Sequence, residues 1–124
     1  MAVVNLDEST FESTIADNAI VLVDWWASWC GPCRMFGPIF ESTSEQHGDV
    51  VFAKVDTEAN PRLSASAGIA SIPTLMVFRE NVLVFSQPGA LPAAALEDLI
   101  GQVRALDMTR VHEAVAAERA GARS

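Results

Sequence analysis

The run from Ile20 to Trp26 is apolar at every position except Asp24. Alternate side chains of a strand point to opposite faces of its sheet, so a strand that is apolar throughout must be covered on both faces. Such strands are typical of the middle of a sheet that has helices on either side. The run therefore predicts the central strand of an α/β domain, and apolar packing does not explain Asp24.

The patterns on either side of this run predict alternating strands and helices. Phe11 and Ile15 lie four residues apart, which predicts a short one-sided helix from Asp7 to Ala16 with Asp7 as its N-cap. Further apolar spacings predict the other elements. These are a strand over Ala2–Leu6, a helix carrying Met35, Phe36, Ile39 and Phe40 with Pro38 as a kink, a strand over Val50–Val55, a helix over Asn60–Ala67, and a helix after Pro92 carrying Leu96, Leu99, Ile100 and Val103.

Two further β-type runs, Thr74–Arg79 and Val82–Gln87, are separated only by Glu80 and Asn81. This spacing predicts a tight hairpin and hence a mixed sheet. The helical stripe that follows Pro92 fails at Asp107, which is a candidate cap for a second helical segment. We therefore predict one domain over residues 1–106 and a partly helical C-terminal extension over residues 107–124.

Composition excludes several classes of function. The 124 residues suffice for one domain, and half of them are hydrophobic. The net charge of -8, with Lys54 as the only lysine, disfavours nucleic-acid binding. The first residues lack the basic and apolar regions of a signal peptide, and no apolar run approaches the ~20 residues of a membrane span. We expect a soluble, unexported protein with no membrane association.

Only two cysteines are present, Cys30 and Cys33, and they form a Cys-Gly-Pro-Cys motif. Such a pair indicates either thiol–disulfide chemistry or half of a structural zinc site. Zinc needs two further ligands, and neither His47 nor His112 belongs to a ligand motif. The motif therefore favours redox chemistry and no metal.

The helix predicted after the motif places the two thiols in different environments, with Cys30 at its N-terminus and Cys33 within its first turn. A thiolate at a helix N-terminus is stabilised by the helix dipole, which favours Cys30 as the attacking sulfur. Side chains on a helix point back toward its N-terminus, so Cys33 is expected to lie beneath Cys30 and to be shielded. We expect an exposed Cys30 that attacks a target disulfide and a buried Cys33 that resolves the mixed disulfide.

Two separated segments resemble one known family. Residues 23–35, which read VDWWASWCGPCRM, closely resemble the active-site signature of thioredoxins, and Ser71-Ile72-Pro73-Thr74 resembles their second signature. The resemblance covers residues 3 to 105, with Lys54, Asp56, Gly68 and Gly89 also at family-like positions. It implies the thioredoxin fold, an α/β fold with a mixed five-stranded sheet of order β1-β3-β2-β4-β5 and helices on both faces.

The same resemblance implies roles for residues outside the motif. Asp24 is expected to be a buried carboxyl that exchanges a proton with Cys33, and Lys54 is grouped with it as catalytic. A structural role for Asp24, as the partner of a buried donor such as Lys54, is compatible with this and stays open. Pro73 is expected to be a cis-proline against the sulfurs. The expected substrate-binding patch consists of Trp29, Gly31, Pro32, Ile72, Pro73, Gly89 and Ala90.

By resemblance, the chain is a monomeric cytoplasmic protein-disulfide reductase. It is expected to bind no cofactor and to receive electrons from NADPH through a flavin-dependent thioredoxin reductase. The implied clients are peroxiredoxins, methionine sulfoxide reductases and ribonucleotide reductase. An oxidant or isomerase on the same fold and a non-enzymatic binding module are the alternatives. Three departures from the family pattern, Asn81, Pro88 and Thr57, bear on the choice of partners.

Overall fold

A computed structural model describes residues 2–122; Met1 and the end of the predicted extension, Arg123 and Ser124, lie outside the described residues. None of the helices in the described part is both long and apolar enough to cross a bilayer. Strands and helices alternate up to a final hairpin and two helices. Their bounds are β1 Val3–Asn5, α1 Phe11–Asp17, β2 Ile20–Trp26, α2 Gly31–Ser44, β3 Val51–Asp56, α3 Pro61–Ser66, β4 Thr74–Arg79, β5 Val82–Pro88, α4 Ala93–Arg104 and α5 Met108–Ala122.

The five strands form one mixed sheet of order β1-β3-β2-β4-β5, which confirms the predicted fold class. β2 lies in the middle, parallel to β3 and antiparallel to β4. Its alternating side chains belong to two separate hydrophobic cores, one on each face of the sheet. Leu22 packs with residues of α2 and α4, whereas Val23 and Trp25 pack with Ile15 of α1. The apolar run is buried on both faces because helices cover both.

Strand alternation decides on which face the polar residues of the sheet lie. Asp24 is two residues after Leu22, and Lys54 is two residues after Phe52, so both share the face that α2 and α4 cover. Asp24 and Lys54 are also register partners in the parallel pairing of β2 with β3. The sheet thus brings the two charged residues together under α2.

The prediction that the first helix begins after an Asp7 cap is wrong by one turn, since α1 begins at Phe11. The Asp7 carboxylate accepts hydrogen bonds from the amides of Ser9 (2.9 Å) and Thr10 (3.1 Å), and the Thr10 hydroxyl accepts one from the Asp7 amide (3.0 Å). These bonds close a turn in front of the helix. A short acidic side chain satisfies local amides in a turn as readily as at a helix N-cap.

The hairpin and the C-terminal helix are confirmed. Glu80 and Asn81 both adopt left-handed backbone conformations (φ 50° and 66°), as a two-residue hairpin turn requires, and Asn tolerates this region well. The Asp107 carboxylate accepts hydrogen bonds from the amides of Thr109 (3.1 Å) and Arg110 (3.3 Å) at the start of α5. Met108 is the buried anchor of this helix.

Arg79, at the end of β4, connects the sheet by hydrogen bonds to the end of α4 and to the segment that precedes α5. Its guanidinium donates hydrogen bonds to the carbonyls of Val103 (2.7 Å), in the last turn of α4, and Leu106 (2.9 Å), just after that helix ends. Carbonyls at a helix C-terminus lack the amide partner that a continuing helix would supply. We expect Arg79→Met to lower the free energy of unfolding by about 2 kcal/mol, measured by urea denaturation. Arg110→Met, on the exposed surface of α5, is the matched control; equal losses in both variants would contradict this role.

Candidate active site

Cys30 and Cys33 are joined by a disulfide at the start of α2, with their Cα atoms 5.2 Å apart. Cys30 is the N-cap of the helix, and its sulfur accepts a hydrogen bond from the Cys33 amide at 3.2 Å. Pro32 lies in the first turn, where an amide hydrogen would have no helical partner. Among residues 2–122, no group of three or more His, Cys, Asp or Glu side chains is arranged to hold a metal ion.

The expected difference in exposure between the two cysteines is wrong for this disulfide form. Cys30 is 4% exposed and Cys33 is 5% exposed. Cys30 is covered because its sulfur lies 3.7 Å from the carbonyl oxygen of Ile72, in a loop 42 residues further along the chain. The two sulfurs differ in position instead: Cys30 faces the Ile72 loop, and Cys33 lines a cleft on the side of Lys54.

Asp24 is fully buried beneath α2, and neither of its carboxylate oxygens has a hydrogen-bond partner within residues 2–122. Burial disfavours the charged carboxylate and raises the pKa of Asp24 to about 7, while the positive charge of Lys54 opposes part of that rise. A carboxyl group that titrates near neutral pH exchanges protons readily with a thiol. The structural alternative loses support, because no hydrogen bond ties Asp24 to Lys54.

Lys54 is half-buried, and its ammonium lies 4.7 Å from the centre of the Trp26 ring. A cation over the face of an indole ring is attracted by the ring electrons, which holds the ammonium against Trp26. Trp26 therefore packs against the Lys54 side chain. Lys54 and Cys33 line the same cleft of about 240 Å³.

Sequence reasoning did not find this cleft. Gly37 is the smallest residue that lines it, and a Cβ atom at this position would lie 3.9 Å from the Lys54 nitrogen. A glycine within an otherwise apolar helical pattern was the available signal, because glycine weakens a helix and leaves room beside its backbone. The cleft is lined by Trp26, Ala27, Cys33, Arg34, Gly37, Pro38, Glu41 and Lys54.

The loop before β4 meets the active site from the other side. The Ile72-Pro73 peptide bond is cis, as the resemblance implies, and Pro73 is buried. The Gly89 amide donates a hydrogen bond of 2.8 Å to the Pro73 carbonyl. Because Pro88 has no amide hydrogen to donate, the Gly89 amide makes the hydrogen bond that joins the end of β5 to this loop. Ile72, Pro73 and Gly89 are thereby gathered on the side of the disulfide that Cys30 faces.

The other predicted substrate-binding residues surround the disulfide at the surface. Trp29 is 65% exposed, and Gly31 and Pro32 are exposed on the first turn of α2. Ala90 is exposed next to Gly89, and Ile72 is half-buried.

Thr57, one of the departures from the family pattern, donates hydrogen bonds from its amide (2.9 Å) and hydroxyl (3.0 Å) to the Trp26 carbonyl. That residue therefore closes the end of β2.

A Cys-x-x-Cys disulfide at the start of a helix, opposite a cis-proline loop at the end of this sheet, defines a thiol–disulfide oxidoreductase. The family model described as Thioredoxin matches residues 2–102. A protein described as a thioredoxin 2 in Streptomyces coelicolor is 57% identical over 119 residues, covering 96% of this chain and 89% of the relative. The chain belongs to the thioredoxin family.

Other relatives and solved structures agree. Thioredoxin C-3 of Corynebacterium nephridii is 44% identical over 100 residues, covering 80% of this chain and 69% of that protein. A thioredoxin variant from Halobacterium salinarum superimposes with a TM-score of 0.75 at 34% identity, covering 81% of this chain and 88% of the other. Thioredoxin of Plasmodium falciparum gives a TM-score of 0.73 at 33% identity, with coverages of 80% and 96%.

Proposed function

We propose that this oxidoreductase reduces disulfides in oxidised client proteins, with Cys30 as nucleophile and Cys33 as resolving thiol. The observation that carries the proposal is the Cys30–Cys33 disulfide between the exposed patch around Trp29 and the buried carboxyl of Asp24. The exposed side offers a surface for a client. The buried side offers a group that takes up a proton.

In the reduced protein, the N-terminal end of α2 stabilises the Cys30 thiolate. Its sulfur attacks one sulfur of the client disulfide, so that a Cys30–client disulfide forms and the client disulfide breaks. The second client sulfur leaves as a thiolate and takes a proton from solvent. The carbonyl of Ile72, 3.7 Å from the Cys30 sulfur, belongs to the backbone against which an extended client segment pairs.

The second step closes the disulfide seen in the structure. Cys33 transfers its proton to the Asp24 carboxylate, and the resulting thiolate attacks the Cys30 sulfur. The Cys30–client bond breaks, the remaining client thiolate leaves, and the Cys30–Cys33 bond forms. Lys54 supports the transfer by opposing the effect of burial on the pKa of Asp24, which keeps part of the carboxyl ionised near neutral pH.

The oxidised protein must then regain two electrons. Members of the thioredoxin family typically bind no cofactor, and we propose that NADPH supplies the electrons through a flavin-dependent thioredoxin reductase. We propose peroxiredoxins, methionine sulfoxide reductases and ribonucleotide reductase as clients, and a monomer acting in the cytoplasm. We assign the activity to residues 1–106 and treat residues 107–124 as an extension.

A trapping experiment tests the assigned roles. Cys33→Ser leaves the nucleophile in place but removes the resolving thiol, so the Cys30–client disulfide should accumulate. We expect adducts with an oxidised model client such as insulin, visible on a non-reducing gel and released by dithiothreitol. Cys30→Ser is the matched control and should form about tenfold fewer adducts at neutral pH, since it lacks the thiolate at the helix N-terminus. Equal trapping by both variants would contradict the assignment.

A further inference from the structure

Met35 is the most exposed large hydrophobic side chain among residues 2–122, with 73% of its surface accessible. It follows Cys33 by two residues on α2. Because residues two apart point to nearly opposite sides of a helix, Cys33 faces the core while Met35 faces outward. Neither the catalytic steps nor the packing of the core uses the Met35 side chain.

Helical spacing places Met35 beside the substrate-binding patch. It lies four residues after Gly31 and three after Pro32, and both of those residues are exposed. Residues at these spacings share one face of a helix, so Met35 continues the patch along α2 by about 6 Å from Gly31. Trp29 lies on the other side of the motif and is also exposed. We call the four exposed residues Trp29, Gly31, Pro32 and Met35 the apolar strip, which extends past the disulfide along α2.

We propose that Met35 is a contact residue for protein clients and a site of peroxide oxidation that weakens their docking. The inference rests on the proposed function. The segment that docks on the strip is the apolar chain segment on either side of the client cystine. A segment extended by two residues spans about 6.6 Å, which matches the extra length of the strip. The unbranched Met side chain adapts to differently shaped segments.

The oxidation step changes the chemistry of that contact. Hydrogen peroxide transfers one oxygen atom to the Met35 thioether, the O–O bond breaks, water is released, and the sulfur becomes a sulfoxide. The product is polar and disfavours burial against an apolar segment. Met76 and Met108 are buried in the core, so Met35 should react before them. The catalytic sulfurs are already joined to each other in the oxidised protein.

The first experiment compares a protein disulfide with a small one. The second-order rate constants of reduced protein are measured with insulin and with 2-hydroxyethyl disulfide, which has no chain segment beyond its two short hydroxyethyl groups. We expect Met35→Glu to lower the insulin-to-small-disulfide ratio about fivefold, since a charge disfavours the apolar contact. Leu83→Glu is the matched control at another exposed apolar residue, 47% accessible on β5, and should leave the ratio unchanged.

The second experiment uses peroxide. The disulfide form is treated with hydrogen peroxide, freed of it, and reduced with dithiothreitol, after which the same ratio is measured. We expect a mass gain of one oxygen at Met35 and an about threefold lower ratio for the wild type. In Met35→Leu, which keeps an apolar side chain without a thioether, peroxide should not change the ratio.

The outcomes separate this inference from the proposed function. A wild-type protein that reduces neither disulfide overturns the proposed function. If the wild type reduces both but the ratio is the same in Met35→Glu, or peroxide leaves Met35 or the wild-type ratio unchanged, the inference on Met35 fails alone. A fall in the ratio of Leu83→Glu equal to that of Met35→Glu also overturns it.

Discussion

Cys30→Ser is expected to lower the second-order rate constant for insulin reduction by at least about a thousandfold. A serine hydroxyl stays protonated at neutral pH and cannot form a disulfide with the client. Cys33 does not take over efficiently, because it lies inside α2 and lines the cleft on the Lys54 side rather than facing the Ile72 loop. The measurement is single-turnover insulin reduction by the chemically reduced protein, monitored by tryptophan fluorescence or by thiol release.

The fold of this variant must be intact for the result to count. The Cys30 side chain is small, and a hydroxyl can accept the hydrogen bond that the sulfur accepts from the Cys33 amide. We therefore expect an unchanged circular dichroism spectrum and a urea midpoint equal to that of the reduced wild-type protein. A folded Cys30→Ser variant that reduces insulin at the wild-type rate would refute the assignment of Cys30 as nucleophile.

Asp24→Asn is expected to raise the free energy of unfolding by roughly 4 kcal/mol at pH 8 and to change it little at pH 4. Burial raises the pKa of Asp24 from 3.8 to about 7, so between these values the folded state binds a proton that the unfolded state releases. The wild type therefore loses stability as the pH rises from about 4 to about 7, and the loss is complete above pH 7. Asparagine imitates the protonated carboxyl at every pH and does not ionise.

Urea denaturation of the disulfide form at pH 4, 6 and 8 measures this difference. The matched control is Asp17→Asn, the same substitution at an exposed position of α1, which should change the free energy of unfolding by less than about 0.5 kcal/mol at each pH. A stability difference for Asp24→Asn that does not vary with pH would show that packing, rather than ionisation, separates the variant from the wild type.

The same variant also tests the catalytic role of Asp24. Without a carboxylate beneath Cys33, release of the client from the Cys30–client disulfide should slow by about a hundredfold at neutral pH, because a positioned base contributes that much to a proton transfer. Formation of this disulfide should slow less, since the Cys30 thiolate makes the first attack. Unequal effects on the two steps are not expected from a purely structural residue.

Local patterns were sufficient for the elements whose signal lies within a few neighbouring residues. β2 spans the predicted run Ile20–Trp26, and the left-handed residues Glu80 and Asn81 form the predicted turn. β3 is displaced by one residue from its prediction. The start of α1 was missed because Asp7 satisfies amides in a turn and at a helix cap by the same hydrogen bonds.

The burial of Cys30 was missed for a different reason. Its sulfur is covered by the Ile72 loop, and no local pattern states which distant loop lies over a given residue. The cleft beside Cys33 also depends on where Gly37 of α2 meets Lys54 of β3. Both features arise from the packing of elements that are far apart in the chain.

The sequence alone determined the buried central strand, the placement of two thiols one helical turn apart, and the anomaly of a carboxyl group at position 24. Side-chain direction repeats within a strand or a helix, so these features follow from local spacing. Only the tertiary structure decided that Asp24 has no hydrogen-bond partner, that Lys54 lies beside it, and that the Ile72 carbonyl covers Cys30. Strand register and loop contacts join residues far apart in the chain, and they decide which groups lose contact with water.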